Sequence, residues 1–530
     1  MTARLNNKES FFRNELIFAI DAKAINIDNT LVNLFMLLKH NGSRPKSINS
    51  VRGAANNEIT IDKVKQYLFS LERQGVVVGL SENPDAAEVW IRNNLVNLTN
   101  RGNPDKEKIT SLRPIHLESY RVRNAAPTRD YNSADQVYLM LGQNPRVKQD
   151  FIAFLKDGWD KDTNSILSSV DLDVDSLGLL HIIRNMGKDF VNSPTSLDSV
   201  HPLLKEQAEL YCDDIRRLLV YQGSIPRSVL IDYIKTLTFF HLSLYFQKLV
   251  YLLPKMIVNG SSTIEDDWNI VIDVTDDYDS KIAKIATEEV DKFINSIYDY
   301  IRATFQINAT LNFLDLKRDN SENIEKALNT LKNKDIRFEE SFKWRFQDIQ
   351  SQFDSDKSKN EEEKIEYKAS IENITKFEDA YFDKYVHILL HQRGDYQYKY
   401  SKELFDAVCQ KNKERGILAQ GRSRKHQRRF VLGSRLLETL IQILVLEAHA
   451  EGFHTKSLSI EELMAALKNR YGLVINGLDE PRFKDADVNT HLAFRDNVES
   501  LKQKLRMIGF YNDLSDAYIL QKIKPRYPKN

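Results

Sequence analysis

Residues 224–254 read SIPRSVLIDYIKTLTFFHLSLYFQKLVYLLP, and this stretch decides the class of the fold. Its section 229–253 is the most apolar in the chain, yet it contains Asp232, Lys235, His241 and Lys248. A membrane span needs about 20 predominantly apolar residues with few or no charges. The stretch therefore reads as a long helix buried in protein, with no membrane contact. Leu237, Phe240, Leu244 and Tyr245 fall on one stripe, and Phe239, Phe246 and Leu249 lie beside it. An aromatic stripe at helical spacing is core, or the face a partner helix covers. Ser228 suits an N-cap, and Pro254 ends or breaks the helix.

Around this helix the chain is helix-rich. Gly (19) and Pro (13) are scarce among 530 residues, which disfavours an all-β fold built on tight turns. A single core stops growing near roughly 250–300 residues, so several domains are expected. We expect a mainly α, multi-domain protein with winged-helix-like units near both termini and a short central β element. The segments are 1–95 (winged-helix-like), 96–258 (helical), 259–410 (strand-initiated helical, with a charged arm) and 411–530 (basic segment and winged-helix-like unit).

The N-terminal unit rests on the order helix, helix, hairpin. Residues 30–40 are apolar at helical spacing, and Thr60 caps a second helix over 60–74 that Gly75 stops. Val76 to Val78 and Ala87 to Ile91 read as two short strands about the turn SENPD at 81–85. The C-terminal unit rests on helices over 431–450, 457–471 and 490–508 and a strand over 518–524. Ser459 and Glu462 there have capping-box spacing. Between the units, NIVIDVT at 269–275 is the best strand in the chain, rich in β-branched residues. Residues 316–375 are charge-dense and suit a solvated face or an adaptor arm for protein partners.

Lys and Arg (75) balance Asp and Glu (75), so no global field draws the protein onto a polyanion. Any nucleic-acid contact must be local. Lys411, Lys413, Arg415, Arg422, Arg424, Lys425, Arg428 and Arg429 crowd into 19 residues, with only Glu414 opposing them and with Gly416 and Gly421 loosening the segment. Such cations neutralise phosphates and release counterions, giving affinity without sequence readout. Arg422, Arg424, Lys425, Arg428 and Arg429 are the candidate DNA contacts. The alternative is a solvated basic loop, or an interface with acidic stretches of this chain or a partner.

Two weaker constellations involve metals. Asp273 lies in the central strand, and Asp276 and Asp277 follow it. Carboxylates at a strand end hold Mg²⁺ in nucleases, so these three are the ligands of an alternative, metal-dependent nuclease reading. Otherwise they form a polar strand end. Asp383, His387 and His391 recur every four residues, but Ile388 stands where a zinc protease needs its glutamate. Asp171, Asp173 and Asp175 resemble a calcium loop, but Ser176 and Ile182 occupy its glycine and glutamate positions, leaving a helix start. No phosphate-binding loop or dinucleotide fingerprint is present, so no nucleotide cofactor is expected. Two cysteines, Cys212 and Cys409, and a charged N-terminus fit a cytoplasmic protein.

The stretch 224–254, the strand NIVIDVTDD (269–277), and the tail segments NRYGLVING (469–477) and LKQKLRMIGFYNDLSDAYILQKIKPRY (501–527) together resemble the seventh component of the bacterial methylation-associated anti-phage defence system. The resemblance covers roughly residues 200–527 and rests on structural motifs. It implies cytoplasmic work beside a DNA methyltransferase and ATPase or nuclease partners, and brings no active-site residues. The expected function is a non-enzymatic DNA-binding or scaffold subunit of a defence complex.

Overall fold

The computed structural model describes residues 3–529 apart from 48–57, 104, 161–162, 164, 167–171, 192, 194–195, 357, 424–425, 451 and 512–521. The chain is mainly α, with only two-stranded sheets among the described residues.

The apolar stretch forms the helix Arg227–Asn259, which continues through Pro254 and ends on left-handed Gly260 (φ +76°). Pro226 stands at its N-cap, and Ser228 is already helical. The Gly260 N–H donates to the Met256 carbonyl at 2.8 Å, which closes the last turn. Side chains on every face are buried, from Leu230 to Leu253. An all-round apolar helix needs neighbours on all sides. Two long ones, Lys281–Phe313 and Tyr381–Val408, help supply them. Phe246 meets Phe293 and Tyr300 edge-on, and Phe293 lies 4.3 Å from Phe405. No helix among the described residues is long and apolar enough to cross a membrane.

The N-terminal wing does not form as expected. Thr60 does cap the helix Ile61–Arg73. Residues 76–78 are not a strand, and 87–91 fall in the helix Pro84–Trp90 and the π-turn Ile91–Leu95. A hairpin comes later, pairing Val96–Thr99 with Lys108–Leu112. The reason lies in packing. The helix Ile27–Lys39 puts Leu31, Leu34 and Phe35 into the main core. The helix Ile61–Arg73 instead puts Val64, Leu68 and Leu71 into a second core with Ile91, Leu95 and Leu180. Helices that serve different cores cannot build one small domain.

At the C-terminal end, the helix Ser434–Leu444 gives way to a hairpin, Leu446–His449 with Gly452–Thr455, where helix was expected through 450. The helices Ile460–Tyr471 and Val488–Met507 follow, the first opened by the Ser459–Glu462 capping box. Of the expected last strand, 518–521 lie outside the described residues, and Ile523 pairs with Leu458. The central strand is short: Ile270–Val271 runs parallel to Leu473–Val474, and Asp273 bridges to Val431. The main core draws side chains from Ala3 to Ile523, so it includes residues from all four expected segments.

Candidate nucleic-acid interface

The basic segment folds as a hairpin. Leu418–Gln420 pairs antiparallel with Arg428–Phe430, placing Ala419 opposite Arg429 and Gln420 opposite Arg428. Residues 421–427, GRSRKHQ, connect the strands. The glycines here permit close approach rather than looseness. A Cβ on Gly433 would collide with the Glu414 carbonyl, and one on Gly421 with the His426 ring.

Among the segment's described cations, Lys411, Arg415, Arg428 and Arg429 have carboxylate partners within the molecule. Arg429 is 2 % exposed, and its Nε donates to Asp273 Oδ2 at 2.5 Å. Asp273 is fully buried, and its Oδ1 accepts from the Thr275 N–H at 2.8 Å and hydroxyl at 2.6 Å. The Arg429 guanidinium lies 3.8 Å from the Tyr278 ring centre, and His426 stacks on that ring at 4.6 Å. Arg428 forks onto Asp406 at 2.7 and 2.9 Å, a bond that lifts its pKa. Lys411 pairs with the same carboxylate. Arg415 and Arg435 share Asp232 at 3.4 and 3.2 Å. Arg422, in the connecting turn, is exposed. Arg424 and Lys425 lie outside the described residues.

The structure thus joins Asp273 of the acidic candidate set to Arg429 of the basic set. Asp276 sits in left-handed backbone (φ +58°), with its carboxylate 3.8 Å from Lys504 Nζ. Asp277 Oδ1 accepts from the Asp279 N–H at 3.0 Å. Among the described residues, no group of three or more His, Cys, Asp and Glu is arranged to hold a metal ion. Asp383 pairs with Arg302 and Lys334, His387 with Glu378, and His391 is exposed. Asp173 caps the helix Val174–Met186 and also accepts from the Ser228 N–H, while Asp171 lies outside the described residues.

One buried polar cluster escaped sequence reading. Asp214 Oδ2 accepts from His241 Nε2 at 2.9 Å and from the Tyr471 hydroxyl at 2.8 Å. Its Oδ1 accepts from Arg470 Nε at 3.0 Å. Burial, partly opposed by Asp214, holds His241 below the usual histidine range. A polar His241 amid an apolar run was the available signal. Its partner carboxylate comes from another helix, 27 positions away, and no local pattern announces that.

These features define a mainly α protein in which ion pairs to the interior fix a hairpin with a basic connecting turn. The chain belongs to the family described as methylation-associated defense system protein MAD7, whose sequence model matches residues 7–527. It is thereby a component of a defence system. No curated protein and no solved structure matches it.

Proposed function

We propose that the chain is a non-enzymatic subunit of its defence complex that grips DNA phosphates with the turn of the 418–430 hairpin. The observation that carries this reading is the division of labour within the hairpin. Arg428 and Arg429 anchor its second strand through Asp406 and Asp273. The connecting sequence 421–427 carries Arg422, Arg424 and Lys425 with no acid among them, and Arg422 is exposed. A hairpin anchored through its second strand, with a cationic connecting sequence, suits the backbone of a duplex, where contact needs charge and position rather than base readout. The helical body then serves as the scaffold for an ATPase, methyltransferase or nuclease of the same system. The metal-dependent nuclease alternative gains no support, because Asp273 spends its carboxylate on Arg429 and Thr275.

The test is a triple reversal, Arg422→Glu, Arg424→Glu and Lys425→Glu, with duplex binding measured by fluorescence anisotropy across a salt series. Each lost phosphate contact removes about 0.9 from the slope of log affinity against log salt. We expect the slope to fall by roughly 2 to 3, with affinity at least about tenfold lower. An unchanged slope in a normally folded variant would remove the reading.

A further inference from the structure

A pocket of about 770 Å³ opens where the N-terminal segment meets the end of the helix Lys281–Phe313. The helices Ile336–Ser351 and Tyr381–Val408 add Arg345 and Tyr385 to its lining. Phe11, Phe313 and Leu316 give it apolar walls, and Phe11 is 45 % exposed. Lys8, Lys317 and Arg318 line it too. Its volume lies within the roughly 300–1,000 Å³ of small-molecule sites.

The charges around it do not balance. Glu9 is spent, because its carboxylate accepts from Arg345 at 2.7 and 2.9 Å and from the Tyr385 hydroxyl at 3.1 Å. That leaves Asp315 on the wall against Lys8, Lys317 and Arg318. Among the described residues, no carboxylate stands within ion-pair distance of those three cations. Arg318 is half-buried, and its guanidinium lies 5.3 Å from the centre of the Phe11 ring. Of its N–H donors, one meets the Arg13 carbonyl at 2.8 Å. Burial, opposed in part by Glu15 and aided by Arg13, lowers its pKa from the usual arginine value. The carbonyl end of Lys281–Phe313 reaches the same pocket, but the Leu314 and Leu316 N–H groups already cover the Thr310 and Leu311 carbonyls at 2.9 Å each. A partly desolvated guanidinium with donors to spare is matched by an oxyanion, since charge-assisted hydrogen bonds are the strong ones.

We propose that this pocket binds a small organic anion, an apolar ring or chain that carries a carboxylate or phosphate. The head takes the spare donors of Arg318, and Lys317 and Lys8 add attraction from the rim. The body lies against Phe11, Phe313 and Leu316. A bare phosphate would leave the apolar walls wet, and a neutral apolar molecule would leave the guanidinium unmet, so the site selects the combination. This reading does not depend on the hairpin.

The test uses the full chain and anilinonaphthalene sulfonate, an apolar anion whose emission rises on binding. It is run beside phenylnaphthylamine, the same rings without the charge. Decanoate, decyl phosphate and decanol then compete for the site. We expect saturable binding of the sulfonate dye, with the neutral dye at least about tenfold weaker. Decanoate or decyl phosphate should displace the dye, and which of them does so identifies the head group. Decanol should not displace it. Arg318→Gln should weaken binding at least about tenfold, and Arg318→Lys less. Phe11→Ser should weaken it as well. If the Arg318 variants fail to fold, Phe11→Ser and the neutral dye decide, since that ring is exposed. No saturation, equal affinity for the neutral dye, displacement by neither anion, or unchanged affinity in the folded variants overturns the proposal.

Discussion

Arg429 and Asp273 stand 156 positions apart and meet in the interior. A buried ion pair adds little net stability over an apolar pair, but removing one partner leaves a desolvated charge. Arg429→Ala or Asp273→Ala should each cost about 3–5 kcal/mol in urea unfolding. The double exchange Arg429→Met with Asp273→Leu should cost far less than the sum, and additive costs would show the two groups to be independent. His116 makes a second prediction. Its Nδ1 accepts from the Glu118 N–H at 3.1 Å, and its Nε2 meets the Lys156 carbonyl at 3.0 Å. Burial, with Arg227 nearby, pushes its pKa down to about 4. The unfolded chain takes up that proton near pH 6.5 while the folded chain does not. The stability this histidine contributes is therefore complete above pH 6.5 and is lost as pH falls towards 4. From pH 7 to pH 5 the protein should lose about 2 kcal/mol relative to His116→Asn. Equal pH profiles for the two proteins would contradict this.

Among the elements, helices were legible and strand pairings were not. The helix Ile61–Arg73 and the Ser459 capping box follow from residues three and four positions apart, within reach of any local pattern. The hairpin at 446–455 does not, because its strands sit in a segment that continues a helical pattern. The central strand was legible within 269–275, but its partners, about 200 and 160 positions further on, were not. Asn497 is the clasp of that arrangement. Its Nδ2 donates to the carbonyls of Ile272 (2.8 Å) and Ile475 (2.9 Å), and its Oδ1 accepts from the Val274 N–H at 2.8 Å. Nothing local marks it. Asn497→Ala strands three buried backbone groups and should cost on the order of 3 kcal/mol or more, with Asn497→Asp no better. A melting temperature within a degree or so of the parent would refute the clasp.

Across the whole molecule, the described residues form two large apolar clusters. One draws on the length of the chain, and the other on residues 59–183. Regions with separate cores open as separate units. In hydrogen exchange, the amides of Ile61–Arg73 and Lys108–Leu112 should exchange together, well before those of Arg227–Asn259. Uniform exchange across both would argue for one cooperative unit. By itself the sequence determined the helical class, the buried long helix and the absence of a global field, because periodicity and charge totals are local or summed quantities. Only the tertiary structure decided which charges face outwards, that the expected N-terminal wing would not form, and that His241 would sit beside Asp214. Each of those outcomes depends on contacts between distant residues, whose energies exist only once the chain has brought the groups together.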